Sequence, residues 1–226
     1  MDESLMPLFI ALFVVIVVAI AIGSHLQAKR RRQALQTLAK RLGMTFSAAK
    51  RPDIARQYAF LDALRKGSNR YGYNLVEGEY RNHPVRYFDF HYATTSTDSK
   101  GRRKTHHHYC SIALLHMERS FPELRIYPET FWSRLGQMLG FKDIDFESVE
   151  FSKAFVVRSK DRKFAYDICH PRMMGYLLNH RDLCLEIEQG CLALEHNSLL
   201  APDKIQSRFD LLCELCALFP QYLFAG

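Results

Sequence analysis

From Leu5 to Gly23 the sequence (LMPLFIALFVVIVVAIAIG) contains no charged residue. A helix of about 20 apolar residues matches a hydrocarbon core ~30 Å thick, so this absence predicts a membrane span. The order of charges argues against a cleaved secretory signal, which needs cations ahead of its apolar run. Asp2 and Glu3 lie ahead of it, while Lys29, Arg30, Arg31 and Arg32 lie behind. The positive-inside bias then places the N-terminus outside and everything after Gly23 in the cytoplasm. The sequence also lacks a P-loop, a dinucleotide fingerprint and a G-x-S-x-G elbow. It has no internal repeat and no low-complexity segment.

Cysteine is present but in no framework. Cys110, Cys169, Cys184, Cys191, Cys213 and Cys216 are scattered through apolar contexts, and a reducing cytoplasm keeps such thiols as small hydrophobes. Charged residues make up 24% of the chain against 48% apolar, which is too apolar for a mainly disordered chain. The net charge of +7 is local: residues 29–41 carry six cations and residues 100–104 four, leaving −3 for the remainder. A nucleic-acid groove needs a broad cationic stripe with interleaved aromatics, so no nucleic-acid partner is expected.

The expected organisation is a transmembrane anchor (1–24), a basic juxtamembrane helical neck (25–46) and a cytoplasmic domain (47–226). Leu35, Leu38, Ala39 and Leu42 recur at helical spacing in the neck, with Gly43 as terminator. A short helical turn is expected within 47–70. From Tyr73 the period shifts to that of strands in YNLVEGEY, VRYFDFHYATT and HYCSIALLHM, an antiparallel meander, and ELRIYPE adds a fourth strand. Helix is expected over ETFWSRLGQMLG, with Glu129 or Thr130 as cap and Gly140 at its end, then strand over VEFSKAFVVRS. DRKFAYDICHPRMMGYLLNH reads as helix broken at Pro171, LCLEIEQ and CLALEHN as two strands around Gly190, and Asp203–Phe219 as a helix burying Ile205, Phe209, Leu212, Cys213 and Cys216. The fold class is α+β: a mainly antiparallel sheet with packed helices, preceded by a single N-terminal transmembrane helix.

The stretch TDSKGRRKTHHHYC concentrates the candidate chemistry. Turning Phe88, Phe90 and Tyr92 inward with Cys110, Ile112 and Leu114 pairs Phe90 with Cys110, Tyr92 with His108 and Thr94 with His106, and leaves 95–105 as the loop. His91 then lies opposite Tyr109 on the other face. His106, His108 and Cys110 are the weak metal candidates. They stand in line about 7 Å apart, which suits a tetrahedral ion poorly, so no metal or cofactor is expected. Lys100, Arg102, Arg103 and Lys104, with Arg30, Arg31 and Arg32, form a candidate contact for anions or lipid headgroups, against the plainer reading of a solvated hairpin tip. Cys213-x-x-Cys216 lies on an apolar helix stripe and reads as core, and Cys169 beside His170 cannot face it on a helix. Asp143, Asp145 and Glu147 alternate without the glycine of a calcium loop.

The stretches LAKRLGMTFS, VRYFDFHYATTSTDSKGRRKTHHHYCSIALL, FPELRIYPE and KDIDFESVEFSKAFVVRSKD together resemble an uncharacterised bacterial family of about 200-residue proteins, many with an N-terminal membrane helix. The resemblance covers most of residues 35–180 and brings no activity, cofactor or catalytic residue. The functional expectation is a single-pass protein of the bacterial inner membrane. Its cytoplasmic domain is a binding or interaction module for a protein partner or anionic headgroups, and is not an enzyme. The alternative is a membrane-anchored enzyme, for instance a hydrolase, with a site assembled from the hairpin histidines and the 143–147 acidic run, which requires two of His91, His106, His108, Asp143 and Asp145 to converge in a pocket.

Overall fold

The computed structural model describes residues 6–130 and 143–224. Its first element, α1 (Met6–Arg41), is one unbroken helix of 36 residues, roughly 54 Å long at ~1.5 Å per residue. Every described side chain from residue 9 to residue 30 is exposed, and this helix is long and apolar enough to cross a membrane. Leu35, Leu38 and Ala39 are buried in the main core, so the stretch expected as a neck packs as part of the domain.

The described strands form a single antiparallel sheet of eight in the order β1-β2-β3-β4-β8-β7-β5-β6. They are β1 (Thr45–Ser47), β2 (Ser68–Tyr80), β3 (His83–Thr97), β4 (Arg103–His116), β5 (Leu124–Pro128), β6 (Phe155–Ser159), β7 (Cys184–Glu188) and β8 (Cys191–His196). The fold is α+β as expected, and the β3/β4 register is the expected one, with Phe90 opposite Cys110, Tyr92 opposite His108 and Thr94 opposite His106. The meander of β2, β3 and β4 does not continue into β5, because the β7–β8 hairpin inserts there: β8 pairs with β4 and β7 with β5.

Both faces of the sheet are covered, so β3 and β4 read as nearly continuous apolar runs. On one face Phe88, Phe90, Cys110, Ile112 and Leu114 pack under α2 (Pro52–Gln57) and α3 (Asp62–Arg65). On the other, Val85, Tyr87, Ala113, Leu192 and Leu194 pack with the end of α1 and with helices from the second half of the chain. These are α4 (Val149–Ala154), α5 (Arg162–Ile168), α6 (Pro171–Leu178) and α7 (Ile205–Ala217). Pro171 starts α6 and so divides α5 from α6 as expected.

Three expectations are corrected. Residues 149–154 are helix rather than strand, because the Ser148 hydroxyl accepts from the Phe151 N–H and starts a turn, leaving only 155–159 extended. The loop expected over 95–105 narrows to 98–102, because pairing continues out to Thr97 and Arg103. β1 was not foreseen; its three residues pair with Leu75, Val76 and Glu77 of β2. Most of the helix expected over ETFWSRLGQMLG lies outside the described residues.

Candidate functional site at the helix–sheet junction

The apolar stripe of α1 (Leu35, Leu38, Ala39, Leu42) extended back by one turn reaches Arg31, four residues before Leu35. Arg31 is accordingly turned into the domain. Its Nε donates to Asp89 Oδ2 at 2.8 Å and its Nη2 to Asp89 Oδ1 at 2.7 Å, a bidentate pair. Nη1 donates to the Leu200 carbonyl at 2.8 Å and Nη2 also reaches the Tyr87 hydroxyl at 3.0 Å. Asp89 is 0% exposed and the Arg31 side chain 14%.

The sheet is shaped to receive this pair. A bulge in β2 sets Tyr73 opposite Asp89 and Val76 opposite Tyr87, with Asn74 at φ 52° between them. The bulge aims the Asn74 amide at Asp89, and Nδ2 donates to Oδ2 at 2.9 Å. Tyr87 OH and Ser111 Oγ lie 2.9 and 3.1 Å from Asp89 Oδ1. Ser111 Oγ in turn accepts from the Leu200 N–H at 2.9 Å. Burial and the neighbouring carboxylate raise the Tyr87 hydroxyl well above its usual value, so it stays protonated and donates. One carboxylate therefore gathers α1, β2, β3, β4 and the segment before α7.

Of the candidate anion contacts, Arg31 is thus committed inside the protein, while Arg30 and Arg32 are exposed. At the ribbon tip, Asp98 accepts from the Lys100 and Arg102 N–H groups and from Arg102 Nε, each at 2.9 Å. Arg102 is therefore paired locally, whereas Lys100, Arg103 and Lys104 project into solvent.

Strand parity divides the histidines. His106 bonds Ser96 Oγ at 3.0 Å, and His108 bonds Thr94 Oγ1 at 2.8 Å and stacks on Tyr92. Cys110 is buried below them, where burial pushes its thiol up. His107 faces the other way and meets His91, Nδ1 to Nε2 at 3.0 Å. His91 is 2% exposed, bonds the Asn69 carbonyl through Nδ1 at 3.0 Å and stacks on Tyr71. Burial lowers its pKa. Since Nδ1 must donate to the carbonyl, Nε2 accepts and His107 donates. This pair follows from parity plus one diagonal step and was missed in the sequence.

The convergence that a hydrolase would need does not occur. Asp143 pairs with Arg158 at 2.9 Å, and its neighbour Ile144 hydrogen-bonds to Val157 of β6. β6 is the edge strand opposite β1, five places from β3. Asp143, Asp145 and Glu147 are exposed there, far from the hairpin histidines. His170 bonds the Leu218 carbonyl at 2.9 Å, and Cys169, Cys213 and Cys216 are buried. Among the described residues no three His, Cys, Asp or Glu side chains are placed to hold a metal ion.

The opposite face has its own buried charges, also unforeseen. Glu186 accepts from the Asp62 and Ala63 N–H groups at 2.7 and 3.1 Å, which fastens α3 to the sheet. Arg125 sits among Asp62, Glu123, Glu186 and Glu188. Burial, only partly offset by Arg125, pushes the Glu186 carboxyl up to about 7. Lys66 reaches Glu195 at 2.8 Å.

No protein-family model matches the chain, and no curated protein aligns with it significantly. In structure it is similar to the crystal structure of the mycobacterial trehalose monomycolate transport factor A, TtfA. The TM-score is 0.59 at 13% identity, covering 85% of this chain and 96% of that one. At that identity the likeness shows the fold: the chain has the α+β architecture of that transport factor, preceded by an apolar helix long enough to span a membrane.

Proposed function

We propose that the protein is a single-pass component of the bacterial inner membrane, N-terminus outside, whose cytoplasmic domain is a non-catalytic interaction module serving a membrane partner. The observation that carries this reading is the Arg31–Asp89 junction. The domain is fastened to the helix eight residues after Gly23, ~12 Å along the axis, instead of hanging on a flexible linker. Such a mount fixes the domain's height and rotation at the bilayer, which matters for docking a neighbour in the membrane and little for turning over a soluble substrate. The charge asymmetry around Leu5–Gly23 supports the orientation. The fold shared with a mycobacterial transport factor fits a membrane-associated interaction module.

The six native cysteines are all buried, so single introduced cysteines report topology against a low background. A membrane-impermeant maleimide is expected to label Ser4→Cys in intact spheroplasts and Ser99→Cys only after permeabilisation. Crosslinking in native membranes is expected to join the full chain, and not α1 alone, to an integral membrane protein. Labelling of both cysteines from one side refutes the topology, and identical crosslinking by α1 alone refutes the module.

A further inference from the structure

The end of the sheet that faces the membrane helix can be identified. Arg31 meets Asp89 and Tyr87 of β3, whereas Arg41, ten residues on, bonds Gln206, which bonds Tyr80 at the other end of the β2–β3 hairpin. α1 therefore runs down the sheet antiparallel to β3. Followed back toward its N-terminus, it climbs in the same direction as the β3–β4 ribbon. From Asp89 the ribbon continues eight residues to Thr97, ~26 Å of strand, whereas Gly23 is ~12 Å of helix from Arg31. A ribbon inclined to the helix by anything up to about 60° thus still reaches the plane where the apolar run ends.

What the ribbon carries suits that plane. Residues 95–107 are exposed on both strands. Asp98, the one carboxylate among residues 94–107, is consumed by its own turn. Lys100, Arg103 and Lys104 extend from the tip and are all exposed, on the Gly23 side of the level at which Arg31 meets Asp89. Below them Tyr109, 47% exposed, stands beside the His91–His107 pair. A tyrosine with one apolar body and one polar tip is the side chain that settles at the headgroup layer.

We propose that the β3–β4 ribbon is a second membrane contact, with its tip cations lying among anionic phospholipid headgroups. The bilayer is then held at two points, by α1 through its span and by the ribbon through charge. The inference rests on α1 spanning the membrane as proposed above.

The test uses the full chain in nanodiscs of phosphatidylcholine with or without phosphatidylglycerol, with an environment-sensitive fluorophore on Ser99→Cys or, at the far end of the domain, on Gln221→Cys. In discs containing phosphatidylglycerol, the Ser99 label is expected to shift its emission to the blue and to lose severalfold in quenching by aqueous iodide. The Gln221 label is expected to behave alike in both discs. Adding Arg103→Glu and Lys104→Glu, both exposed and clear of the core, is expected to abolish the protection while the far-UV spectrum is unchanged. A Ser99 label as accessible as the Gln221 label in the anionic discs overturns the ribbon contact and leaves the span intact. Labelling of Ser4→Cys and Ser99→Cys from one side of the membrane overturns the topology, and the ribbon contact with it.

Discussion

Replacing Arg31 by methionine keeps the apolar stem of the side chain and removes its charge. Asp89, at 0% exposure, then keeps only neutral donors: Asn74, Tyr87 and Ser111. It cannot turn toward water, so the cost is that of an uncompensated buried charge, about 3–5 kcal/mol. For a chain of this length each kcal/mol moves the melting temperature by about 2–4 °C, which predicts a fall of roughly 6–20 °C. Asp89→Asn is expected to cost less, about 1–3 kcal/mol. Without the carboxylate Arg31, only partly buried at 14% exposure, can turn its flexible stem toward water, and Asn still accepts from Tyr87 and Ser111. The double variant is expected to be more stable than the sum of the two losses by about 2 kcal/mol, since neither charge is left unpaired. Thermal unfolding of the full chain in one detergent, followed by far-UV circular dichroism, measures all four corners of the cycle. Strict additivity, or a smaller loss for Arg31→Met than for Asp89→Asn, refutes the junction as a buried ion pair.

Two glycines predict losses of different size in the same assay. Gly67 and Gly101 both have positive φ, at 60° and 76°, but a Cβ on Gly67 would lie 2.3 Å from the Ala93 carbonyl oxygen while one on Gly101 meets nothing within 4 Å. Gly101→Ala should cost about 1 kcal/mol of backbone strain alone and Gly67→Ala distinctly more, because β2 must part from β3 there; equal losses count against the packing. Glu186 predicts a pH dependence: its carboxyl rises from an ordinary 4.5 to about 7 in the folded protein. Between those values the native state holds a proton that the unfolded chain has released. The stabilisation is therefore complete below about 4.5 and is lost as pH rises to 7, up to about 3 kcal/mol. Glu186→Gln should flatten that slope in denaturant titrations at pH 5 and 7.5, and an unchanged slope refutes burial as the cause.

The features legible in the sequence are those with a period. Alternation in VRYFDFHY and HYCSIALL gave the correct register, and the apolar spacing of α7 gave its buried face, because one element and one rule suffice for each. The helix over 149–154 was lost because its start depends on the Ser148 cap, and Phe-Val-Val directly behind it carries a strong strand signal. The β8-β7 insertion was lost because no local pattern encodes which strand a distant hairpin joins.

The buried charges failed to show for a different reason, and it bears on what the molecule does. Arg31, read in its own neighbourhood, is one of four consecutive cations behind a long apolar run, and Asp89 is a polar residue on the face of β3 opposite Phe88 and Phe90. Only the third dimension joins them. Yet each carried a mark: Arg31 falls on the stripe of Leu35, Leu38 and Leu42, and Asp89 interrupts a strand whose neighbours are buried on both faces. A charge at a core position of a stripe, and an opposite charge inside an otherwise apolar strand, each demand a partner, and the only economical solution is each other. Separated by 58 residues, they constrain how the sheet is mounted on α1. An apolar pair at the same place would serve stability as well but would tolerate sliding by a turn along the helix. A bidentate pair reinforced by Asn74, Tyr87 and Ser111 does not, because every alternative register leaves a buried carboxylate without its cation. The charge at this junction therefore fixes register, and so the height and rotation at which the domain is mounted on α1.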